Sequence, residues 1–165
     1  MEKLLEKIKI IVSEVDGIIT EGLISYDELQ NVPFKTFYMK DFEAVNEIRK
    51  IIPFVFLSSD NSVTYNLMRS KNIPFFWAPK NKKEKLVEIM KRYDVISAEE
   101  VLFIGSTYSD TACVKLIPLS LCPQDAVSDV VNLSSHKLAS ISGMGVLTEV
   151  YDLLKNEINR RRQCS

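Results

Sequence analysis

The apolar residues fall into short unbroken runs, each closed by polar residues and separated by stretches with helical spacing. The first run, Ile8-Lys9-Ile10-Ile11-Val12-Ser13-Glu14-Val15-Asp16-Gly17, reads as a buried parallel strand ending on two carboxylates and a glycine. Phe54 to Leu57 is a second such strand, tipped by Ser58-Ser59-Asp60-Asn61. Ile73 to Trp77, Val101 to Gly105 and Leu119 to Cys122 give a third, fourth and fifth. Between them, Val45, Ile48, Ile51 and Ile52 predict a helix over Met39 to Ile51, stopped by Pro53. Ser62 is placed to cap a helix running to about Lys71. Leu86, Ile89, Met90 and Tyr93 mark another helix, and Ser97 to Glu100 has capping-box spacing. Ser109-Asp110 opens a short helix through Leu116, and an amphipathic helix of about 146–162 closes the chain.

Strands alternating with helices predict an α/β fold: a Rossmann-like parallel sheet with helices on both faces, one domain over 1–165. Sheets of this kind bind ligands beyond the carboxyl ends of their strands, where the tips of strands one, two and four should meet. Glu14 and Asp16 are two residues apart, so on a strand both would point to one side. That pattern would present a nucleophile and an acid/base to one substrate.

Glu21 to Tyr26 and Phe34 to Tyr38 predict a β-hairpin of about 21–38 protruding from the sheet, joined by the polar stretch Asp27 to Pro33. A lone two-stranded ribbon is marginal in water. Leu23, Ile24, Tyr26, Phe34 and Phe37 therefore mark an interface, unless the hairpin folds back over its own sheet.

Composition narrows the classes. A chain of 165 residues with 46% hydrophobic and 26% charged residues suits one soluble domain, and a formal net charge of −1 gives no support for nucleic acid as a partner. No apolar run approaches the roughly 18 residues of a membrane span. Met1 to Lys7 is a mixed-charge lead-in without signal-peptide character. Cys113, Cys122 and Cys164 lack metal-ligand spacing and suit reduced thiols in a cytoplasm. His136 is the one histidine of the chain, which argues against a histidine triad or a zinc cluster. Arg160 to Arg162 lie at a helix end, where cations suit the dipole.

Val15-Asp16-Gly17-Ile18-Ile19-Thr20-Glu21-Gly22 resembles the D-x-D-G-x-x-T-x-G opening of haloacid-dehalogenase-type phosphatases, and among them the capless Kdo-8-phosphate phosphatase branch. The similarity runs over nearly the whole chain. Phe37 with Lys40-Asp41, Leu57-Ser58, Asn81-Lys82, Gly105 to Asp110, Asp125-Ala126, and Gly143-Met144-Gly145 with Glu149 all fall at family positions. So do all five glycines.

The resemblance implies a magnesium-dependent phosphatase in which a leading aspartate attacks phosphorus and a second aspartate is the acid/base. Here those positions are Glu14 and Asp16. It implies phosphate binding by Ser58 and Lys82, with Lys82 also balancing charge at the catalytic positions. The metal positions are Glu14, Asp16, Ser106 and Asp110, in which Ser106 and Thr107 replace an aspartate pair. The family's glycine-arginine after the second motif is Ser59-Asp60, the C-terminal arginine is Met144, and Phe42 and Ala44 replace glycines. A neutral serine removes much of the charge that holds magnesium. Lengthening the nucleophile displaces it by roughly 1 Å, an error that can cost about 100-fold.

The expected function is thus a pseudophosphatase with a degraded magnesium site, serving as an assembly module in sugar or nucleotide-sugar biosynthesis. The phosphatase-like domain of animal sialic-acid cytidylyltransferases resembles it in this erosion. The family resemblance further implies a homotetramer held through the hairpins, with a sugar phosphate or a sugar-biosynthesis enzyme as partner. The alternative is a sugar-phosphate phosphatase, of Kdo-8-phosphate or acylneuraminate-9-phosphate type, with residual activity through Glu14 and Asp16.

Overall fold

The computed structural model describes residues 7–31, 34–60 and 63–164. Its centre is a six-stranded sheet: β1 (Ile10–Ser13), β2 (Phe54–Ser58), β3 (Phe75–Trp77), β4 (Val101–Ile104), β5 (Leu119–Cys122) and β6 (His136–Lys137). The order is β3-β2-β1-β4-β5-β6 and every pairing is parallel. The chain winds outward from β1 through β2 to β3, then returns to β4 on the other side. The crossover therefore opens a crevice beyond the ends of β1 and β4.

Among the described residues six α-helices cover the sheet: α1 (Met39–Ile48), α2 (Thr64–Ser70), α3 (Lys82–Arg92), α4 (Thr111–Leu116), α5 (Ser128–Leu133) and α6 (Val146–Cys164). The pleat of β1 sends Ile11 to one face and Ile10 and Val12 to the other. Ile11 packs with Phe42, Val45 and Ile48 of α1, Met68 of α2, and Val146, Leu147 and Val150 of α6. Ile10 and Val12 pack with Leu86 and Ile89 of α3, Cys113 and Val114 of α4, and Val130 of α5. Burial on both faces explains why β1, β2 and β4 are apolar without alternation.

The predicted parallel architecture is present, with differences at its margins. Helix α1 stops at Ile48, because Ile51 and Ile52 lie in a turn before Pro53. Ser62, expected as a cap, lies outside the described residues. Neither α5 nor β6 was expected; β6 is two residues long and pairs only with β5, too short to leave a pattern. The Ser97–Glu100 capping box forms as expected and leads directly into β4. Cys113 and Cys122 are buried free thiols; burial, with nearby Asp110, pushes the Cys113 thiol up to about 12.

The hairpin requires correction. The chain does leave the sheet after Gly22 and reverse at Asp27–Asn31, where the Asp27 N–H donates to the Asn31 carbonyl (2.9 Å) and the Gln30 N–H to the Asp27 carbonyl (3.0 Å). Among the described residues, however, the two arms form no strands and exchange no ladder behind that turn. The segment is an irregular excursion, tied back where the Tyr38 N–H reaches the Ile19 carbonyl (3.1 Å). Leu23, Tyr26 and Phe34 are exposed, as is Leu29 at the tip; Ile24 is 40% exposed. Phe37, expected at the interface with them, instead turns inward and packs on Phe42 at 5.9 Å between ring centres.

Candidate active site at the carboxyl edge of the sheet

Three strand ends and one helix start converge on the crevice. The β1 ladder carries one bond past its last residue, from the Glu14 N–H to the Ile104 carbonyl (2.9 Å), so Glu14 emerges beside β4. Its carboxylate does not face outward. One oxygen accepts from the Val15 N–H (2.8 Å) and the other is paired with Lys82, and both side chains are only 3% exposed. Lys82 is placed by the start of α3, whose N-cap Asn81 accepts from the Glu84 N–H (3.2 Å). The same ammonium reaches Asp110 at 2.6 Å.

Asp110 is fixed from its other oxygen. That atom accepts from the Ser106 and Thr107 N–H groups (both 2.9 Å) and from the Thr107 hydroxyl (3.1 Å), closing the turn after β4. The turn leaves no room for a side chain at Gly105: a Cβ there would sit 2.7 Å from Asp110 Cβ and 2.8 Å from the Phe103 ring. Gly17 is constrained similarly. Its φ is +79°, and a Cβ on it would lie 2.2 Å from the Ser106 hydroxyl oxygen.

Asp16 belongs to a second cluster. The strand has ended, so Glu14 and Asp16 do not present a pair to one point as the two-residue spacing suggested. Both oxygens of Asp16 accept from Lys35, at 3.0 and 2.9 Å, and one also accepts from the Thr20 hydroxyl (3.1 Å). Lys35 comes from the excursion, bonds Asp60 beyond β2 as well, and is 1% exposed. Burial works against its charge, but the bonds from Asp60 and Asp16 more than offset this, so its pKa lies above the ordinary lysine value.

Ser58 is buried at the end of β2, where its hydroxyl accepts from the Asp60 N–H (3.2 Å). Ser106 donates its hydroxyl to the main-chain oxygen of Asp16 (3.2 Å). The C-terminal elements matched by resemblance serve the backbone. Asp125 accepts from the N–H and hydroxyl of Ser142 (2.8 and 2.9 Å). Glu149 accepts from the Ala139 and Ser140 N–H groups (3.0 and 2.7 Å). Together they hold the loop that leads into α6.

The structure therefore brings Glu14, Lys82 and Asp110 into one cluster and Asp16 into another, with Ser58 and Ser106 along the same edge. Sequence reasoning missed Lys35. The signal available was a cation between two aromatic residues, on a segment that otherwise reads as apolar, and an unexplained Asp60 where the family resemblance has arginine.

These donors do not fit a magnesium ion. Such an ion takes oxygens in near-octahedral geometry, usually through one or two carboxylates. Here both Glu14 oxygens, both Asp16 oxygens and both Asp110 oxygens already accept bonds from ammonium, amide or hydroxyl groups. The Asp16 main-chain oxygen accepts from Ser106, and the residue at 106 offers no charge. Among the described residues no group of three or more His, Cys, Asp or Glu side chains is arranged to hold a metal. Among the described residues, the carboxylates of Glu14 and Asp110 pair with the Lys82 ammonium, and those of Asp16 and Asp60 with that of Lys35.

No protein-family model matches the chain. It is 25% identical over 156 residues to the 3-deoxy-D-manno-octulosonate 8-phosphate phosphatase of Haemophilus influenzae, covering 93% of this chain and 86% of that protein. The cobalt-bound structure of the Haemophilus phosphatase superposes with a TM-score of 0.85 at 25% identity, over 93% of this chain and 91% of that one. The Moraxella catarrhalis enzyme, solved with magnesium, phosphate and KDO, shares the fold with a TM-score of 0.86 at 19% identity, over 94% and 90% of the two chains. Sheet order and these likenesses agree: the chain is similar to the Kdo-8-phosphate phosphatases over nearly its whole length and shares their haloacid-dehalogenase-type fold.

Proposed function

We propose that this chain is a non-catalytic homologue of the Kdo-8-phosphate phosphatases, an assembly module in sugar or nucleotide-sugar biosynthesis whose ancestral site now holds the fold together. One observation carries the reading: the carboxylate at the nucleophile position, Glu14, is buried and fully bonded, to Lys82 and to the Val15 N–H. An attacking carboxylate needs a free oxygen within near-contact distance of phosphorus. Freeing Glu14 would break a buried ion pair with Lys82 and leave the Val15 N–H without its acceptor. The missing carboxylate at 106 and the acidic Asp60 act in the same direction.

The excursion supports the assembly role. It projects Leu23, Tyr26, Leu29 and Phe34 to solvent, Met39 at the start of α1 is exposed as well, and surface of this kind marks a contact with another chain. The partner we favour is further copies of this chain, as a homotetramer in a cytoplasm.

A second reading is favoured by a cavity of about 180 Å³ between the arms of the excursion, lined by Thr20, Glu21, Ser25, Lys35 and Thr36 among others. Hydroxyl groups and one ammonium beside Asp16 are chemistry that a sugar phosphate would use, with Glu14 and Asp16 giving residual hydrolysis.

Turnover of Kdo-8-phosphate and of a generic aryl phosphate, with magnesium present, separates the two. The non-catalytic reading expects background rates that do not change in Glu14→Ala. A clear rate in the wild type that Glu14→Ala abolishes would overturn it. Appearance of activity in Glu14→Asp combined with Ser106→Asp would locate the loss at those two positions.

A further inference from the structure

The misfit between the carboxylates of this edge and a divalent ion has a specific agent, Lys35. It comes from the excursion, not from the end of a strand or the start of a helix. Its ammonium is 1% exposed, touches both oxygens of Asp16 and one of Asp60, and so joins the ends of β1 and β2 to the excursion. Asp60 sits where the resemblance calls for arginine, and two cations at that spot would repel each other.

We infer that Lys35 is an internal cation that closes this edge to divalent metal and latches the excursion over the strand ends. The inference deepens the non-catalytic reading and rests on it. An ammonium brings one charge where a divalent ion would bring two, but it is tethered and needs no stripping of a tightly held water shell. Carboxylates that keep a covalently delivered cation have less to gain from binding a free one. The latch also fixes the orientation of the segment bearing Leu23, Tyr26 and Phe34. Among the described residues, the backbone bonds of that segment close the turn at its tip and tie Tyr38 to Ile19. The site that would otherwise serve chemistry thus positions a surface.

The test uses Mn2+ alone as the probe, followed by water-proton relaxation, together with amide hydrogen exchange over the excursion. Wild type should hold Mn2+ no tighter than about millimolar, the weak end for carboxylate sites. Lys35→Met, which keeps side-chain length without charge, should gain at least about tenfold in Mn2+ affinity. Its excursion amides should exchange at least about tenfold faster while the β1 and β4 amides do not. Lys35→Arg should restore wild-type behaviour on both readouts. Should Lys35→Met fail to fold, Asp60→Asn decides: its excursion amides should exchange several-fold faster, and unchanged exchange would overturn the latch.

Tight Mn2+ binding by the wild type, or Mn2+ affinity and exchange in Lys35→Met equal to wild type, would also overturn it. Neither of those results by itself decides whether phosphate esters are turned over. Phosphate-ester turnover by the wild type would instead remove the non-catalytic reading, so the two failures are told apart.

Discussion

Two lysines bridge carboxylates at the carboxyl edge of the sheet, and they differ in what they tie together. Lys82 starts a core helix and joins the ends of β1 and β4 through Glu14 and Asp110; all three side chains are 3% exposed or less. Lys35 comes from an irregular excursion and joins β1 to β2 through Asp16 and Asp60, whose side chains are 19% and 34% exposed. The chemistry is the same, but the surroundings are not. Around Lys82 all three side chains are shielded from solvent, so the bridge is part of the fold. Around Lys35 solvent reaches the carboxylates, so the bridge is a fastening that can open while the sheet stays intact.

The comparison can be broken at either end. Lys82→Met should have the largest effect, leaving two buried carboxylates uncompensated and lowering unfolding stability by about 3–5 kcal/mol. For a domain of this size that is roughly 10 °C or more in a thermal melt. A loss under about 1 kcal/mol would show that the cluster is wetter than its burial implies. Gly105→Ala tests the same cluster through its turn, since the new methyl meets Asp110 and Phe103. Overpacking of this kind should cost about 1–3 kcal/mol in chemical denaturation.

Lys35→Met should cost less, about 1–2 kcal/mol once screening at Asp16 and Asp60 is counted. The pH dependence has a definite sign. The folded pKa of Lys35 is raised, so its contribution is complete below the ordinary lysine value of 10.5 and is lost as pH climbs through the higher folded value. In Lys35→Met the stability–pH curve should therefore lie lower near neutrality with its slope there unchanged, and its alkaline limb should flatten.

Leu23→Glu and Phe34→Glu should change stability by less than about 0.5 kcal/mol, both residues being exposed, while light scattering reports loss of the assembled form. Equal mass before and after would remove the assembly surface. Phe37→Asp should behave in the opposite way and damage the fold, because its ring packs on Phe42.

The smallest effect is expected at Glu149. Burial pushes its carboxyl up, but the bonds from Ser140 and Ala139 outweigh this and its pKa is lowered. Its contribution is present above the ordinary glutamate value and is lost as pH falls through the lower folded one. Glu149→Gln should flatten that acid-side slope, with a small loss of stability above it because one of the two accepting oxygens becomes an amide NH2.

Much of this was legible along the chain, and the reasons are local. A strand buried on both faces is mostly apolar, so β1, β2 and β4 announced themselves as apolar runs with polar ends. Glu14, Ser58, Lys82, Ser106 and Asp110 were legible because the family pattern places them at the ends of such runs and at the start of α3. The excursion was misread. Its aromatic and β-branched residues have strand propensity, but propensity without a partner ladder forms no strand, and the partner was never specified locally. Strand β6 left no signal because two residues cannot show a period.

The sequence by itself therefore determined the layered parallel sheet, the edge where the charged residues gather, and which acidic positions carry a changed residue. Only the tertiary structure decided how those charges pair. Spacing constrains residues a few positions apart, whereas Lys82 is 28 residues from Asp110 and Lys35 is 25 from Asp60. Which cation reaches which carboxylate depends on where the helix start and the excursion are set down against the sheet. That placement sends Glu14 inward to Lys82 and leaves Asp16 to Lys35.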